Sequence, residues 1–347
     1  MAPTELSGVQ RAIMKTRTID SSGIQISELG FGAAGIGNLY RPIDNAHALE
    51  AVHEAWRQGV RYFDTAPHYG AGLSERRLGL ALQELPREEQ LLSTKVGRML
   101  EPLASNAPVD GEGFAQAAPF IRRYDYSYDG VMRSFEDSLQ RLGVGRIDIL
   151  LMHDIGRLTH GDAHDEIFRT AMESGFKAMT ELRDQGLVKA IGLGVNEWQV
   201  CDEAMNHTDF DCFMVANCFT LLENGITERF TDRCRRERVS LIVAAPFNSG
   251  VLAKGSSGSG HYFYGDTPAD VIERVKGLEA VCREYAVPLP AAAVQFPLRH
   301  DCVKSVVIGM TDDARIRQNI DWYAHPIPTE FWHTLTDKGF IRPGREA

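Results

Sequence analysis

The chain has 347 residues, 44% of them hydrophobic, and its 37 Lys and Arg against 47 Asp and Glu leave a net charge of -10. That acidic balance argues against a nucleic-acid binder, which needs clustered cations for phosphate, and no stretch approaches the ~20 apolar residues that cross a bilayer. The N-terminal MAPTELSGVQRAIMK has charges where a secretory leader has a continuous apolar core, so a soluble, cytoplasmic protein without nucleic-acid or membrane partners is expected.

Six cysteines, at 201, 212, 218, 234, 282 and 302, include no C-x-x-C pair and no metal-like spacing. Reduced structural thiols and no metal site are expected.

In chain order, short apolar strands alternate with amphipathic helices. Residues 29–34 (LGFGAA) make a glycine-rich strand, followed by a helix over 44–58 that Asp44 caps and Gly59 stops. A strand over 62–65 opens YFDTAPHYG, where Pro67 and Gly70 halt the run and leave Asp64 and Tyr69 at its exit. LSERRLGLALQEL, 73–85, carries Leu78, Leu82 and Leu85 at helical spacing and ends at Pro86. A third strand, 91–96 (LLSTKV), has Lys95 near its end. The following 97–128 shows little periodicity and reads as a long loop, of the kind that is usually functional.

A helix over 128–143 precedes a strand over 147–152 that ends at His153. Helix 164–185 stops at Gly186, and strand 189–195 ends at Asn196. Strands over 212–217, 240–246 and 305–310 follow, with a helix over 269–285 before the last. Eight strands alternating with about eight helices imply parallel pairing through right-handed crossovers. They fit a closed (β/α)8 TIM barrel, one α/β domain over 1–347 with 1–14 as an N-terminal extension and long substrate loops at the C-terminal mouth. The other architecture open to this pattern is a doubly wound open sheet. LGFGAAGIG, however, is not followed directly by a helix with an acidic residue one strand later.

In a barrel all strands end at one mouth, so Asp64, Tyr69, Lys95, His153 and Asn196 converge although far apart in sequence. Each alone has an ordinary explanation: a cap for Asp64, a snorkelling lysine, a core histidine, a loop aromatic. Polar groups at successive strand exits are harder to explain as packing. A tyrosine of ordinary pKa, ~10, is a poor base at neutral pH, but a nearby ammonium favours the phenolate, so Lys95 is expected to bring Tyr69 into range. Asp64 would hold and neutralise that ammonium, and neutral His153 would donate a hydrogen bond to a substrate oxygen.

Through Asp64 and Tyr69 in YFDTAPHYG, Lys95 in STKVG, His153 in LLMHD, Asn196 in LGVNEW, and Arg315 and Asn319 near the end, the chain resembles the aldo-keto reductases over nearly its whole length. FDTAPHYGAGLSERRLG and APFNSGVLA are similar to the sugar-oxidising branch, the D-threo-aldose (L-fucose) 1-dehydrogenases and the related pyridoxal 4-dehydrogenase. The resemblance implies Asp64, Tyr69, Lys95 and His153 as the catalytic set and a nicotinamide as hydride acceptor, a role that none of these side chains can fill.

It further implies cofactor contacts at Gly32, Ala33 and Asp64, with Asn196 on the carboxamide. Phe247, Asn248, Ser249, Gly250 and Leu252 would wrap the pyrophosphate with backbone N–H groups that Gly250 leaves accessible. Gly309, Thr311, Arg315, Gln318 and Asn319 would face the adenosine. The sixth-strand contact, Ala216 or Asn217, stays open. Gly309 stands where phosphate-preferring relatives carry a lysine, and Asp312 and Asp313 would repel a 2′-phosphate. NAD is therefore expected over NADP, although Arg315 could pair with a phosphate and Asp312 could simply cap the last helix.

Two insertions are expected to shape the substrate site. One is 97–128; the other is 254–266 (KGSSGSGHYFYGD), where a flexible run precedes His261, Tyr262, Phe263 and Tyr264 as in a lid. Trp198 and Phe219 are candidate pocket walls. The resulting reading is an NAD-dependent dehydrogenase acting on a small molecule, an L-fucose-type aldose or pyridoxal. Tyr69 removes the hemiacetal proton as the C1 hydride passes to the nicotinamide, giving a lactone. The alternatives are an NADP-dependent carbonyl reductase, a nucleotide-binding regulatory barrel without turnover, and metal-assisted hydrolysis, for which His153 alone supplies too few ligands. The sequence sets no oligomeric state.

Overall fold

The computed structural model describes residues 14–342 apart from 105, 106, 227, 259 and 264. The expected N-terminal extension, but for Met14, and Tyr264 of the expected lid lie outside the described residues. The strands are β1 (Thr16–Thr18), β2 (Gln25–Ser27), β3 (Leu29–Gly32), β4 (Tyr62–Asp64), β5 (Leu91–Val96), β6 (Arg98–Pro102), β7 (Phe120–Tyr124), β8 (Ile149–His153), β9 (Ala190–Val195), β10 (Cys212–Ala216), β11 (Ser240–Ala244) and β12 (Val303–Gly309). Eight of them, β3, β4, β5, β8, β9, β10, β11 and β12, pair side by side in that order, all in parallel, and β12 returns to β3 to close the barrel. The expected (β/α)8 barrel is therefore present.

The barrel strands are short, apolar and buried on both faces, as parallel strands wrapped by helices must be. Tyr62, Ile149, Leu151, Met214, Ile242 and Val307 fill the interior together with Ile19, Ile24 and Ile26 of the N-terminal hairpin. That hairpin, β1 with β2, lies across the end where the strands begin: the Asp20 N–H donates to Ser240 Oγ and Ser21 Oγ donates to Asp211 Oδ1. The opposite end is left to the loops. Helices cover the outside, and some of them are started by a side-chain cap. Asp44 accepts from the His47 N–H ahead of helix Asn45–Arg57, and Ser127 accepts from the Gly130 N–H ahead of helix Tyr128–Leu142.

Two of the expected elements take a different form. The stretch 97–128 is not a plain loop, because β6 and β7 form an antiparallel hairpin within it, Arg98 opposite Tyr124 and Pro102 opposite Phe120. The helix expected over 164–185 is interrupted by a wider π turn at Ala171–Gly175. There a Cβ on Gly175 would stand 2.4 Å from the Tyr126 carbonyl oxygen, so a close approach to the neighbouring chain accompanies the irregularity.

Candidate active site

β4 and β5 are neighbours in the barrel, with Asp64 paired to Ser93 in register, and this sets the first half of the site. Lys95 Nζ donates to both Asp64 oxygens, at 3.0 and 2.8 Å, and to the Thr65 carbonyl at 2.9 Å. Ser93 Oγ donates to Asp64 Oδ1 at 2.7 Å and lies 2.9 Å from Tyr62 OH, so the carboxylate is held from a second side. Both members of the ion pair are about as buried as side chains can be, each 3% exposed. Room for the lysine stem comes from Gly194 on β9, where a Cβ would sit 3.2 Å from Lys95 Cε. Burial opposes the ammonium, but Asp64 and then Tyr69 outweigh it and raise the Lys95 pKa.

Tyr69 is placed by a tight turn after β4, in which the Tyr69 N–H donates to the Ala66 carbonyl and the Gly72 N–H to the Pro67 carbonyl. Gly70 has φ +63°, and a Cβ there would lie 2.4 Å from the Gly37 oxygen, so only glycine lets this turn meet the loop after β3. Helix Leu73–Leu82 locks the same region: Ser74 Oγ donates to the Ala33 carbonyl, and Arg77 donates to the Ile36 and Ile43 carbonyls and to Asn38 Oδ1. The SERR stretch is therefore a clamp on the loops.

The Lys95 ammonium lies 4.9 Å from the Tyr69 ring centroid. Even so, the Tyr69 phenol is pushed above its ordinary value: burial is the largest influence, Lys95 pulls the other way, and Asp64 and Asp154 push up again. The expectation that Lys95 brings Tyr69 down into range is thus not met, because burial and two carboxylates outweigh one cation.

His153 ends β8, and its ring centroid is 6.1 Å from that of Tyr69, edge to face. Burial, then Arg98, Lys95 and His68, holds its pKa well below the ordinary value, so the imidazole is neutral as expected. Its Nδ1 is buried without a hydrogen-bond partner. Asp64, Tyr69, Lys95 and His153 thus come together at the exits of β4, β5 and β8.

Four neighbours were absent from the sequence reading of the site. His68 sits with its ring 5.9 Å from His153 and 6.0 Å from Tyr69, and burial with Arg98, Arg122 and Lys95 drives its pKa down to about 2. Phe114, in the connection between β6 and β7, stacks on Tyr69 at 5.9 Å and meets His68 edge-on at 5.3 Å. Arg98, buried on β6, forms an ion pair with the buried Asp154, which directly follows His153. The hairpin so places its first residue and the tip of its connection beside the tetrad. Arg122 secures that connection by donating to the His68, Asp110 and Gly111 carbonyls.

The expected cofactor residues fall into two groups. Gly32 pairs in register with both Asp64 and Gly309. Asn196 follows β9, donates to Asp154 Oδ1 at 3.3 Å, and accepts from Asn217 Nδ2 at 3.2 Å. The sixth-strand residue in this network is thus Asn217, which takes a left-handed φ of 59° that asparagine tolerates. Gly309 is exposed, with nothing within 4 Å of a Cβ, and Arg315 and Gln318 are exposed on helix Asp313–Ala324. Ala33, Leu252 and Asn319 are buried.

Asn248 is turned inward, accepting from Thr220 Oγ1 and donating to the Asn217 carbonyl at 2.9 Å. The N–H groups of Asn248, Gly250 and Leu252 go to the Ala245 and Phe247 carbonyls, and that of Val251 to His261. The first three close the turn and the fourth is taken up by the lid segment, so these four N–H groups are not the accessible donors expected around Gly250. Asp312 caps helix Asp313–Ala324 by accepting from the Arg315 N–H at 3.0 Å, while its other oxygen is 3.4 Å from Arg315 Nε and 3.7 Å from Arg41 Nη2. Thr311 Oγ1 donates to it at 3.3 Å. Amide edges at one end, bare backbone at Gly309, and an exposed arginine and glutamine at the other end suit a long molecule with an amide head and a polar tail, as a nicotinamide dinucleotide has.

Of the expected lid, His261 stacks on Tyr40 at 5.5 Å and the Tyr262 hydroxyl bonds to Glu223, so this segment bridges the loops after β3 and β10. Trp198 is half-buried against Phe230, while Phe219 is buried against Phe296 and His300 and lines a cavity with them, Asn224 and Arg235 that includes none of the tetrad residues. Among the described residues no helix is long and apolar enough to cross a membrane, and no three His, Cys, Asp or Glu are grouped to hold a metal ion.

Comparison with known proteins extends the picture. Residues 28–339 match the model described as Aldo/keto reductase family. The chain is 43% identical over 335 residues to pyridoxal 4-dehydrogenase of Microbacterium luteolum, covering 94% of this chain and 97% of that protein. It is 39% identical over 325 residues to D-threo-aldose 1-dehydrogenase of a Pseudomonas species, covering 92% and 96%. An aldo-keto reductase from Bacillus halodurans in its holo form superposes with a TM-score of 0.71 at 25% identity, covering 96% of this chain and all of that one.

Proposed function

The chain belongs to the aldo/keto reductase family of NAD(P)-dependent oxidoreductases, and from that premise we propose that it is an NAD-dependent dehydrogenase oxidising the hemiacetal of pyridoxal or of an aldose to a lactone. The observation that carries this reading is the buried Lys95–Asp64 pair beside Tyr69 and a neutral His153, in a chain similar to two dehydrogenases of such substrates. Pyridoxal closes on itself into the same HO–C–H unit that a pyranose presents, so one acid-base set serves both.

Tyr69 receives the hydroxyl proton. Lys95, fixed by Asp64 and the Thr65 carbonyl, stabilises the phenolate that must exist for that transfer. Neutral His153 keeps one N–H to donate to the substrate oxygen and orient it. His68 and Phe114 wall the site beside Tyr69 and exclude water from it. A nicotinamide, held at Asn196 and along the exits of β9 to β12, would supply the hydride acceptor.

Two features support NAD over NADP: the absence of any side chain at Gly309, and the engagement of Arg315 with the Asp312 carboxylate.

The test is nicotinamide absorbance with NAD and with NADP against L-fucose, D-arabinose, L-galactose and pyridoxal. Reduction of NAD by pyridoxal or by at least one sugar, faster than with NADP, is the expected result. Activity only as an NADPH-consuming aldehyde reductase would refute it.

A further inference from the structure

We propose that Asp154 is a positioning residue whose carboxylate ties the orientation of Asn196 to Arg98 of the β6–β7 hairpin. The proposal deepens the functional reading above and rests on it.

Asp154 is buried and holds a φ of +49°, a left-handed conformation that an aspartate adopts at a cost and that its surroundings must enforce. Its backbone is fixed from both sides, the N–H donating to the Gly194 carbonyl at 3.0 Å and the C=O accepting from Tyr126 OH at 3.2 Å. Its side chain then faces three groups. Oδ2 takes the Arg98 guanidinium and lies 3.5 Å from His153 Nε2, while Oδ1 accepts from Asn196 Nδ2 at 3.3 Å.

The direction of this chain is its informative property. Asn217 Nδ2 donates to Asn196 Oδ1, Asn196 Nδ2 donates to Asp154, and Arg98 donates to Asp154 from the other side. All donors run toward one carboxylate. An ionised carboxylate only accepts, so a flipped Asn196 would set its carbonyl against that charge and lose both bonds. Asp154 therefore decides which edge of Asn196 is spent inside the protein and which edge remains for a ligand amide. The same carboxylate balances the Arg98 cation beside His153, and Arg98 is carried by the hairpin whose connection brings Phe114 to Tyr69. A substrate-side element and a cofactor-side amide thus share one anion.

The experiment compares wild type, Asp154→Asn, Asn196→Ala and the double variant. NADH binding is followed by fluorescence, melting curves check folding, and turnover is measured against pH. Asp154→Asn is expected to weaken NADH binding about tenfold, the loss that accompanies one charge-assisted hydrogen bond. The double variant should bind no more weakly than Asn196→Ala alone, since one residue acts through the other.

The pH profile supplies a reading that loss of packing would not move. Tyr69 faces Lys95 and Asp64 from β5 and β4, neutral His68 in its own loop, and neutral His153 with Asp154 from β8. Removing the Asp154 charge should therefore shift the alkaline limb of oxidation to lower pH.

Multiplicative losses in the double variant with an unmoved limb would overturn the proposal. If Asp154→Asn melts as an unfolded protein, Asn217→Ala replaces it in the cycle. Its loss must likewise vanish in the Asn196→Ala background, and independent losses overturn the proposal equally. Wild-type protein that binds no NADH would instead sink the functional reading itself, whereas binding with independent variants sinks only this inference.

Discussion

Around Lys95 every charge is buried and closely paired, with 2.8 Å to Asp64 and 3% exposure on each side chain. Around Arg315 the carboxylate of Asp312 stands 3.4 Å away, with 60% and 39% exposure. The two pairs obey the same Coulomb law in different media. The first acts where the effective dielectric is low and each partner needs the other; the second is screened by water and is worth little. The mouth of the barrel is thus rigidly specified where the proposed proton transfer would take place and loosely specified where the tail of a dinucleotide would lie. Substitutions at the two ends should differ in kind as well as in size.

The largest effect is expected at the tight end. Lys95→Met leaves the Asp64 carboxylate buried with only Ser93 Oγ as a side-chain donor, and it strips the Thr65 carbonyl of its partner. Breaking a buried pair from one side costs about 3–5 kcal/mol. The variant should therefore lose turnover and also melt well below wild type. A melting temperature within a degree or two of wild type would show that the pair is less committed than its burial suggests.

Tyr69→Phe separates chemistry from packing at the same place. The ring stays stacked on Phe114 and close to His68, so the melting temperature and NADH binding should barely change. Removing the proposed acid-base group should lower turnover by about 10²–10⁴-fold. In wild type, oxidation needs the phenolate and reduction needs the phenol. Because burial pushes Tyr69 up from 10, oxidation should climb through the alkaline range while reduction falls over the same span. An oxidation rate already level near neutral pH would contradict the buried phenol, as would an unchanged rate in the variant.

The contrast also governs what could be read from sequence. The tetrad was legible because barrel topology sends every strand exit to one mouth, so Asp64, Lys95 and His153 needed only their strands to be recognised. Arg98 and Phe114 were not, since they reach the site through the β6–β7 pairing and its connection, and Asp154, one residue after His153, was not because its place rests on side-chain bonds across the mouth. The strand Phe120–Tyr124, FIRRY, is half exposed and arginine-rich, and its register with Arg98–Pro102 is set across a long connection, with no strong alternation of its own. His68 lay in plain view inside YFDTAPHYG, and its position one residue before Tyr69 was the available signal. That Asn217 and not Ala216 bonds to Asn196 could not be read from sequence, because it turns on a left-handed backbone that periodicity does not reveal. The loop 247–252 is a related case: its composition suits an anion nest, yet the N–H groups of Asn248, Gly250 and Leu252 close their own turn and that of Val251 bonds to the His261 carbonyl.

The smallest effect should come from the loose end, and it sharpens the comparison most directly. Gly309 has no neighbour within 4 Å of a Cβ, so Gly309→Lys adds a cation without strain. Asp312→Asn keeps a side-chain oxygen to cap the helix while removing the charge that engages Arg315 and Arg41. Exposed charge pairs are worth about 0.2–1 kcal/mol each. Each change should therefore raise the preference for NADP over NAD by no more than about fivefold. Their effects should multiply, shrink in high salt, and leave the melting temperature in place. A hundredfold switch from either change alone would mean that the far end of the mouth excludes water as thoroughly as the catalytic end does, and the difference drawn between the two would disappear.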